Sequence, residues 1–346
     1  MVKSEAGGAG HLGRIPELDG IRAISILLVI AAHGLPLGPK VLQLNYAAGL
    51  MGMSLFFCLS GFLITSMLMR GQQALDFLAR RIIRILPSVA LFLSILLALG
   101  MPLRNVLLSL TFVSNYFPEW LSGDWPIGHL WSLCVEMQFY IVIGFLTFLL
   151  GRRAVWLIPP ATVVITLLRV QAGATVDIPT HLRVDEILIG GCLALAFPAI
   201  ARNARLRALL RRYGPLLICG VAALWVAASH PAGGWLGYLR PYFAGLLVGL
   251  IVFAEWQPLR AVLLRPVMGY IATISYALYV YHPLMMAGFM NEGSVAVRYL
   301  VKRPISFAAT LAAAHLSTFY WERRWTDALA ARRRRGAALT PGPAGH

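Results

Sequence analysis

The chain has 346 residues, of which 59% are hydrophobic and 13% are charged, and its mean hydropathy is +0.73. A soluble domain has about a quarter of its residues charged, so this composition excludes an ordinary soluble protein and predicts many membrane spans. The net charge of +16 comes from basic residues in short gaps between apolar runs, which is typical of cytoplasmic loops and does not suit nucleic-acid binding.

Residues 1–17 precede the first apolar run and lack the apolar core of a cleaved signal peptide. We expect them to form a flexible cytoplasmic segment. Four cysteines lie inside apolar runs without metal-ligand spacing or a paired pattern, so neither a disulfide framework nor a zinc site is expected. They are Cys58, Cys134, Cys192 and Cys219.

The fold class predicted from the apolar runs is all-α, a polytopic integral membrane bundle of about ten transmembrane helices. A further segment, residues 103–120, is a candidate for an eleventh, half-inserted helix. The ten predicted spans cover about 20–37, 46–69, 86–102, 129–150, 154–170, 184–200, 214–230, 240–255, 267–289 and 304–321.

Orientation is predicted from Lys and Arg in the loops. With both termini in the cytoplasm, the inner loops at 70–84, 151–153 and 201–213 are rich in arginine. The last outer loop, near Arg298, is a basic exception that this rule does not explain. Residues 326–346 are expected to be a basic, disordered C-terminal tail. No internal repeat is visible, so an inverted-repeat transporter gains no support.

The first span carries two ionisable residues, Arg22 and His33, which are eleven positions apart. Eleven residues complete about three helical turns, so both side chains share one face, separated by about 16 Å of rise. A charge at mid-bilayer costs about 2.5–3.5 kcal/mol, which favours a shared polar path. Two simpler interpretations stay open: Arg22 as a snorkelling anchor, and His33 as an interfacial histidine bonded to a carbonyl.

Later spans carry similar groups. Glu136 lies inside the fourth span, with His129 and Ser132 on the same side at helical spacings. His282 lies in the ninth span near Tyr279, and we expect it at about the depth of His33 and Glu136. The pattern predicts a base, an acid and a second imidazole in one site, and an ion pair is the alternative for Glu136.

Three arginines, Arg80, Arg81 and Arg84, stand just before Pro87 on a predicted interfacial helix that leads into the third span. Guanidinium groups bind phosphate in a bidentate manner, so these residues are candidates for a phosphate site. Ordinary positive-inside charge is the alternative interpretation. Gly61 and its neighbouring glycines allow another helix or a ligand to approach closely.

Taken in order, these motifs make the sequence resemble the membrane-bound acyltransferase-3 family of bacterial O-acyltransferases. The resemblance covers almost the whole chain and assigns residues 18–325 to the transmembrane acyltransferase domain. The Arg–His spacing and the order of the motifs carry the signal. The matching stretches are LDGIRAISILLVIAAH (18–33), LFFCLSGFLIT (55–65), FLARRIIRILP (77–87), HLWSLCVEMQFY (129–140), ISYALYVYHPL (274–284) and FYWERRW (319–325), which holds Glu322.

The resemblance implies ten spans in the bacterial inner membrane and transfer of an acyl group, usually acetyl, from cytoplasmic acyl-CoA. The acceptor is a hydroxyl of an envelope or exported glycan or glycolipid, such as exopolysaccharide or lipopolysaccharide, or of a macrolide-type metabolite. The family also implies that Arg22 and His33 are essential and that Arg81 and Arg84 support the donor side. We expect the standalone form, without an extracytoplasmic hydrolase-like domain, and no metal.

In the resulting hypothesis, the phosphates of acyl-CoA bind Arg80, Arg81 and Arg84, with Ser60 and Tyr279 as further donor-binding residues. His33 acts as general base, and Glu136 orients an imidazole. His282 or a tyrosine stabilises the oxyanion. An acyl-imidazole intermediate is a second route, whereas Cys58 or Ser60 as nucleophile is less favoured. Residues 113–129 are the outer loop richest in aromatic groups for an acceptor.

A function of another class also fits intramembrane Arg, His and Glu residues, namely a proton-coupled transporter or flippase. It predicts flux without dependence on acyl-CoA. A non-catalytic scaffold leaves the cost of the buried charges unexplained. Membrane lipid is an expected partner, and self-association into a homo-oligomer stays open.

Overall fold

The computed structural model describes residues 15–117, 119 and 125–339, and these residues form helices joined by short turns, with no β-strand among them. The all-α prediction is therefore confirmed. The α-helices are α1 Pro16–Gly34, α2 Leu44–Met69, α3 Ala74–Ala98, α4 Leu103–Leu110, α5 Trp131–Leu150, α6 Ile158–Gln171, α7 Asp185–Arg202, α8 Ala204–Ser229, α9 Arg240–Ala254, α10 Gln257–Leu263, α11 Pro266–Met286, α12 Arg303–Leu316 and α13 Arg323–Leu339.

Ten of these helices, α1–α3, α5–α9, α11 and α12, overlap the ten predicted spans. Within the described residues, five helical segments are long and apolar enough to cross a membrane, and a sixth arises if α10 and α11, bent by 54°, form one span. Helices α1 and α7 fall short of this standard because each carries three Asp, Glu, Lys or Arg residues within 19 and 18 residues. The five segments are Lys40–Met69, Ala74–Ala98, Gly128–Gln171, Ala204–Ser229 and Pro231–Ala254.

Helix α3 differs from the prediction at its start. It runs unbroken from Ala74 to Ala98, so the arginine-rich stretch and Pro87 belong to one helix and not to a separate interfacial helix. The stretch before Pro87 consists largely of Ala, Leu, Ile and Arg, most of which are good helix formers. The carbonyl of Pro87 accepts a hydrogen bond from Trp321 Nε1 at 2.9 Å, which ties α3 to the last part of the bundle.

Helix α2 packs between α1 and α7, and α1 also packs against α11. At the α2–α7 contact, a Cβ atom on Gly61 would overlap the carbonyl oxygen of Ile187, and one on Gly190 would overlap that of Cys58. Glycine at both positions lets the two backbones touch, as small residues do in membrane helix pairs. This contact sets where α2 lies, and α2 contributes residues to both cavities described below.

A buried ionic network joins α6, α7 and α9. Arg169 Nη1 lies 2.5 Å from Asp185 Oδ2, and Arg240 Nε lies 2.9 Å from Glu186 Oε1. Arg183 Nη2 lies 3.4 Å from Glu186 Oε2, and its guanidinium stands 5.3 Å from the centroid of the Trp131 ring. These charges are almost fully buried, so the pairing offsets a large desolvation cost.

The C-terminal segment is helical further than expected. A π-helical turn over Ser317–Glu322 continues into α13, which spans Arg323–Leu339. The predicted tail began at residue 326, and its part up to 339 is therefore helix in the structure. The first part of the predicted N-terminal segment and residues 340–346 lie outside the described residues, as do 118 and 120–124 of the predicted acceptor loop.

Candidate active site

An inner cavity lies near the end of the bundle where α1 begins. It has a volume of about 30 Å³ and takes residues from α1, α2, α3, α5 and α11. Three guanidinium groups and one carboxylate line it, so its ionised groups sum to a net charge of +2. Its lining is Arg22, Phe56, Ser60, Leu63, Arg81, Arg84, Ile85, Glu136, Tyr140, Ser275 and Tyr276.

Glu136 is held inside this inner cavity by two hydroxyl groups. Ser60 Oγ donates to Glu136 Oε1 at 2.5 Å, and the Tyr140 hydroxyl donates to the same oxygen. The hydroxyls of Ser60 and Tyr140 lie 2.9 Å apart. The carboxylate is thus fixed among the arginines, where it offsets part of their positive charge.

Arg81 and Arg84 face the inner cavity, whereas Arg80 does not line it. The Arg81 guanidinium lies 5.6 Å from the centroid of the Tyr140 ring, and its Nη2 donates to Met67 Sδ at 3.2 Å. The Arg80 side chain is 54% exposed and lies 4.0 Å from Asp76. Arg80 lies one helical turn nearer the start of α3 than Arg84, and it lies outside the cavity lining.

An outer cavity of about 570 Å³ lies toward the other end of α1. Two imidazoles and several aromatic rings line it, and the amide of Asn45 stands at its wall. That amide donates to the carbonyls of Ala32 and Leu35 at the end of α1. The lining is Val29, Ala32, His33, Asn45, Tyr46, Gly49, Leu50, Met53, Pro126, Gly128, His129, Trp131, Tyr279 and Pro283.

Three imidazoles cluster at this outer cavity. The His33 and His282 rings have centroids 5.0 Å apart, and the His129 and His282 rings have centroids 5.6 Å apart. His33 is exposed to the cavity, whereas His282 is fully buried. The cluster thus brings three imidazole side chains from α1, α11 and the turn before α5 into one place.

Each imidazole contacts a backbone carbonyl through one ring nitrogen. His33 Nδ1 lies 2.8 Å from the Val29 oxygen, and His282 Nδ1 lies 2.8 Å from the Tyr279 oxygen. His129 Nε2 lies 3.2 Å from the oxygen of Val280. A carbonyl oxygen accepts and never donates, so each contacting nitrogen carries the hydrogen. The other nitrogen of each ring therefore has a free lone pair in the neutral form.

The structure groups the predicted residues differently from the sequence expectation. Arg22 and His33 do lie along one helix and open into two cavities. Glu136, expected beside His33 and His282, lies instead in the inner cavity with Arg22. The order along the chain explains this position. Trp131 at the start of α5 and His129 just before it line the outer cavity, and Glu136 follows them by one to two helical turns. Tyr279, expected to bind the donor, lines the outer cavity.

Sequence reasoning noted His129 beside Glu136 but did not include it among the site residues. Its contact with Val280 joins positions that are 151 residues apart, so no local pattern signals it. The spacing does signal a place in the site, because His129 lies seven residues, about two helical turns, before Glu136 and therefore shares its side of the helix. The buried ionic network was not predicted, because the pairs Arg169–Asp185 and Arg240–Glu186 join different helices.

Glu322, the acidic residue near the end of the last predicted span, is held against α3. Its Oε1 accepts hydrogen bonds from Ser88 Oγ at 2.8 Å and from Ser317 Oγ at 3.1 Å. The π-helical turn Ser317–Glu322 brings Ser317 and Glu322 to the same partner. Glu322 therefore fixes the last span to the helix that carries Arg81 and Arg84.

Within the part of the chain that the structure describes, no group of three or more His, Cys, Asp or Glu side chains is arranged to hold a metal ion. Cys58 is buried at the α2–α7 contact. The site thus consists of an inner cavity lined by three arginines and an outer cavity lined by two imidazoles, and Arg22 and His33 are about 16 Å of helix rise apart.

Comparison with known proteins adds a family to this geometry. The model of a family described as "Acyltransferase domain" matches residues 15–319. O-acetyltransferase OatA of Staphylococcus aureus (strain NCTC 8325 / PS 47) is 28% identical over 225 residues, which cover 54% of this chain and 35% of OatA. The putative peptidoglycan O-acetyltransferase YrhL of Bacillus subtilis (strain 168) is 33% identical over 227 residues, which cover 54% of this chain and 34% of YrhL.

A putative O-acetyltransferase, SACOL0978 of Staphylococcus aureus (strain COL), is 32% identical over 151 residues, which cover 37% of this chain and 24% of that protein. The matched part thus spans about a third of the length of OatA and of YrhL. No solved structure matches the chain. Because the family model covers most of its length, from the start of α1 into the last π-helical turn, the chain belongs to the acyltransferase-3 family.

Proposed function

We propose that the protein is an integral membrane O-acyltransferase that moves an acyl group, most simply acetyl, from acyl-CoA to a hydroxyl of an envelope glycan. One observation carries the proposal: α1 joins a cavity lined by three arginines to a cavity lined by imidazoles. The first chemistry suits the phosphates of a CoA donor, and the second suits deprotonation of an alcohol.

The donor enters at the inner cavity. Arg22, Arg81 and Arg84 bind its phosphates, and the Glu136 carboxylate lies among the three guanidinium groups. The pantetheine arm then follows the face of α1 toward His33. The rise of about 16 Å between Arg22 and His33 suits an extended arm that delivers a thioester to the outer cavity.

The acceptor enters the outer cavity. The free lone pair of His33 Nε2 takes the proton of the acceptor hydroxyl while the oxygen forms a bond to the acyl carbon. The carbon–sulfur bond breaks, and the CoA thiolate leaves and takes up the proton, so that an ester and CoA thiol are formed. The route through an acyl-imidazole on His33 uses the same lone pair.

His282 receives a different role from the one first expected. Its Nδ1 hydrogen is engaged by the Tyr279 carbonyl, and its Nε2 has a lone pair, so the neutral ring has no hydrogen to offer an oxyanion. We assign it to proton acceptance behind His33, whose ring centroid is 5.0 Å away. This assignment supports His33 as the group that meets the acceptor.

The membrane arrangement we propose has ten spans, with both termini in the cytoplasm of a bacterial inner membrane. It rests on the ten helices that overlap the predicted spans and on the arginine-rich inner loops. The inner cavity then opens toward cytoplasmic acyl-CoA and the outer cavity toward the envelope. The name of the relative YrhL, a putative peptidoglycan O-acetyltransferase, favours a peptidoglycan hydroxyl as acceptor, and the name of OatA favours acetyl as the group transferred.

The direct test is the variant His33→Ala. Proteoliposomes with the purified protein receive acetyl-CoA carrying a labelled acetyl group and soluble peptidoglycan fragments, and the labelled ester is measured. Removal of a general base should lower the rate by about 100- to 10,000-fold. The matched control is His181→Ala, since His181 is exposed and stacks on Tyr116 away from both cavities. A rate close to that of the wild type in His33→Ala would exclude this role.

A further inference from the structure

The two cavities share no lining residue, and one aromatic pair stands between them. Phe56 lines the inner cavity, and Tyr279 lines the outer cavity. Their rings have centroids 6.2 Å apart and an interplanar angle of 17°, so they are stacked. The pair therefore lies between the arginines and His33.

On three surrounding helices, the boundary between the two cavities falls at the depth of this aromatic pair. On α2, Met53 lines the outer cavity and Ser60 the inner one, and Phe56 lies between them about one turn from each. On α11, Tyr276 lines the inner cavity one turn before Tyr279. On α5, Ser132 lies between the outer-cavity Trp131 and the inner-cavity Glu136. The pair therefore marks a layer, defined here as the partition: Phe56, Ser132 and Tyr279.

The two rings of the partition are held very differently. The Tyr279 hydroxyl donates to the His129 carbonyl at 2.7 Å and lies 2.5 Å from Ser132 Oγ, which fixes Tyr279 to α5. Phe56 has no polar atom in its side chain, and it is half-buried and faces the inner cavity. Rotation of Phe56 costs the stacking contact, worth about 0.5–1.5 kcal/mol, and breaks no hydrogen bond.

We propose that Phe56 is the side chain of this partition that rotates to open it, and that it limits the size of the acyl group transferred. The inference rests on the proposed function. When Phe56 is stacked on Tyr279, the inner cavity of about 30 Å³ has room for one or two waters. The donor arm therefore passes only when the Phe56 side chain rotates away. An acyl group bulkier than acetyl needs a wider opening at the same layer.

The closed partition also separates two sets of ionisable groups. Arg22 and Glu136 lie on one side, and His33 and His129 lie on the other. If these groups were joined by water, they would form a proton path through much of the bundle. The stacked rings of Phe56 and Tyr279 lie between the two sets and interrupt that path between reaction cycles.

The first experiment compares acyl groups. Wild type, Phe56→Leu and Phe56→Ala are assayed with acetyl-CoA and hexanoyl-CoA, and the ratio of their kcat/KM values is measured. We expect the preference for acetyl to fall about tenfold or more in Phe56→Ala, with Phe56→Leu between the two. Phe56→Trp should lower kcat with acetyl-CoA. Phe148→Ala, a change of the same type at a side chain that is 67% exposed, should leave the ratio unchanged.

The second experiment does not depend on acyl transfer. Proton leak is followed with a pH-sensitive dye in proteoliposomes under a pH gradient. Phe56→Ala should leak faster than both wild type and Phe148→Ala. Unchanged acyl preference together with an unchanged leak would overturn the partition while acetyl transfer itself persists. A faster leak in Phe56→Ala, together with a wild type that transfers no acyl group, would support the partition as a seal and overturn the proposed function together with the acyl selection.

Discussion

Arg80, Arg81 and Arg84 show how much the position along a helix decides at the level of single residues. All three belong to α3, yet Arg81 and Arg84 line the inner cavity and Arg80 lies on the exposed side near Asp76. The motif alone indicated a basic cluster. The distinction between the cavity-lining arginines and Arg80 came from the position of α3 against α5 and α11.

This difference gives a prediction with an internal control. Arg81→Ala and Arg84→Ala should each raise KM for acetyl-CoA about tenfold or more, because a hydrogen bond to a charged group contributes about 1.5–3 kcal/mol. The same variants should leave KM for S-acetylpantetheine unchanged, since that donor lacks the nucleotide phosphates. Steady-state kinetics with both donors measure the effect.

Arg80→Ala is the matched control and should behave as the wild type with both donors. A KM increase of the same size for S-acetylpantetheine would contradict a phosphate-binding role for Arg81 and Arg84. It would point to a general disturbance of α3.

The sequence predicted the Arg22–His33 face correctly because that relation lies within one helix and depends on spacing alone. The depth of Glu136 relative to His33 could not be predicted in this way. It depends on how far α5 and α1 are shifted along each other, and that shift is set by packing between helices. His129 contacts Val280 of α11, and a contact between residues so far apart in the chain leaves no local sequence pattern.

At the level of helices, the buried ionic network is the feature on which the arrangement of α6, α7 and α9 most depends. Arg169 pairs with Asp185 and also donates to the carbonyls of Ala174, Thr175 and Gly237. Its side chain is 1% exposed. The sequence placed these charges inside or beside predicted spans but gave no basis for pairing them.

Arg169→Ala should therefore destabilise the protein strongly. Removing one partner of a buried pair leaves an uncompensated charge and costs about 3–5 kcal/mol of the free energy of unfolding. Thermal unfolding in detergent, followed by circular dichroism, should show a clear fall in Tm. The measurement tests structure and does not require the acyl acceptor.

Arg211→Ala is the matched control, since Arg211 and Glu255 are 2.6 Å apart but half exposed. An exposed pair contributes about 0–1 kcal/mol, so Tm should hardly change. Equal Tm values for Arg169→Ala and Arg211→Ala would show that the network does not hold these helices together.

Helix boundaries were predicted best where apolar composition alone decides them. The bounds of α5, α9 and α11 agree with the predicted spans within a few residues. Helices α3 and α8 begin about ten residues earlier than predicted because their basic first turns are helical as well. A hydropathy pattern marks where a span is apolar, whereas the helix continues as far as its backbone hydrogen bonds allow.

At the scale of the whole molecule, an arginine-lined cavity and a histidine-lined cavity lie toward opposite ends of α1. The arginines of the inner cavity and the histidines of the outer cavity are joined by α1 and separated by the partition. We propose that the protein takes its donor from one side of the membrane and its acceptor from the other. Sidedness therefore distinguishes the proposed function from that of an enzyme whose two substrates bind from the same side.

The most direct measurement uses membrane vesicles of defined orientation that contain the protein. Labelled acetyl-CoA, which does not cross membranes, is supplied to one face, and soluble peptidoglycan fragments are enclosed or added on the other. The account predicts labelled ester when acetyl-CoA meets the cytoplasmic face and the fragments meet the opposite face, and none in the reverse arrangement. Equal labelling in both arrangements, or labelling that persists in His33→Ala, would contradict it.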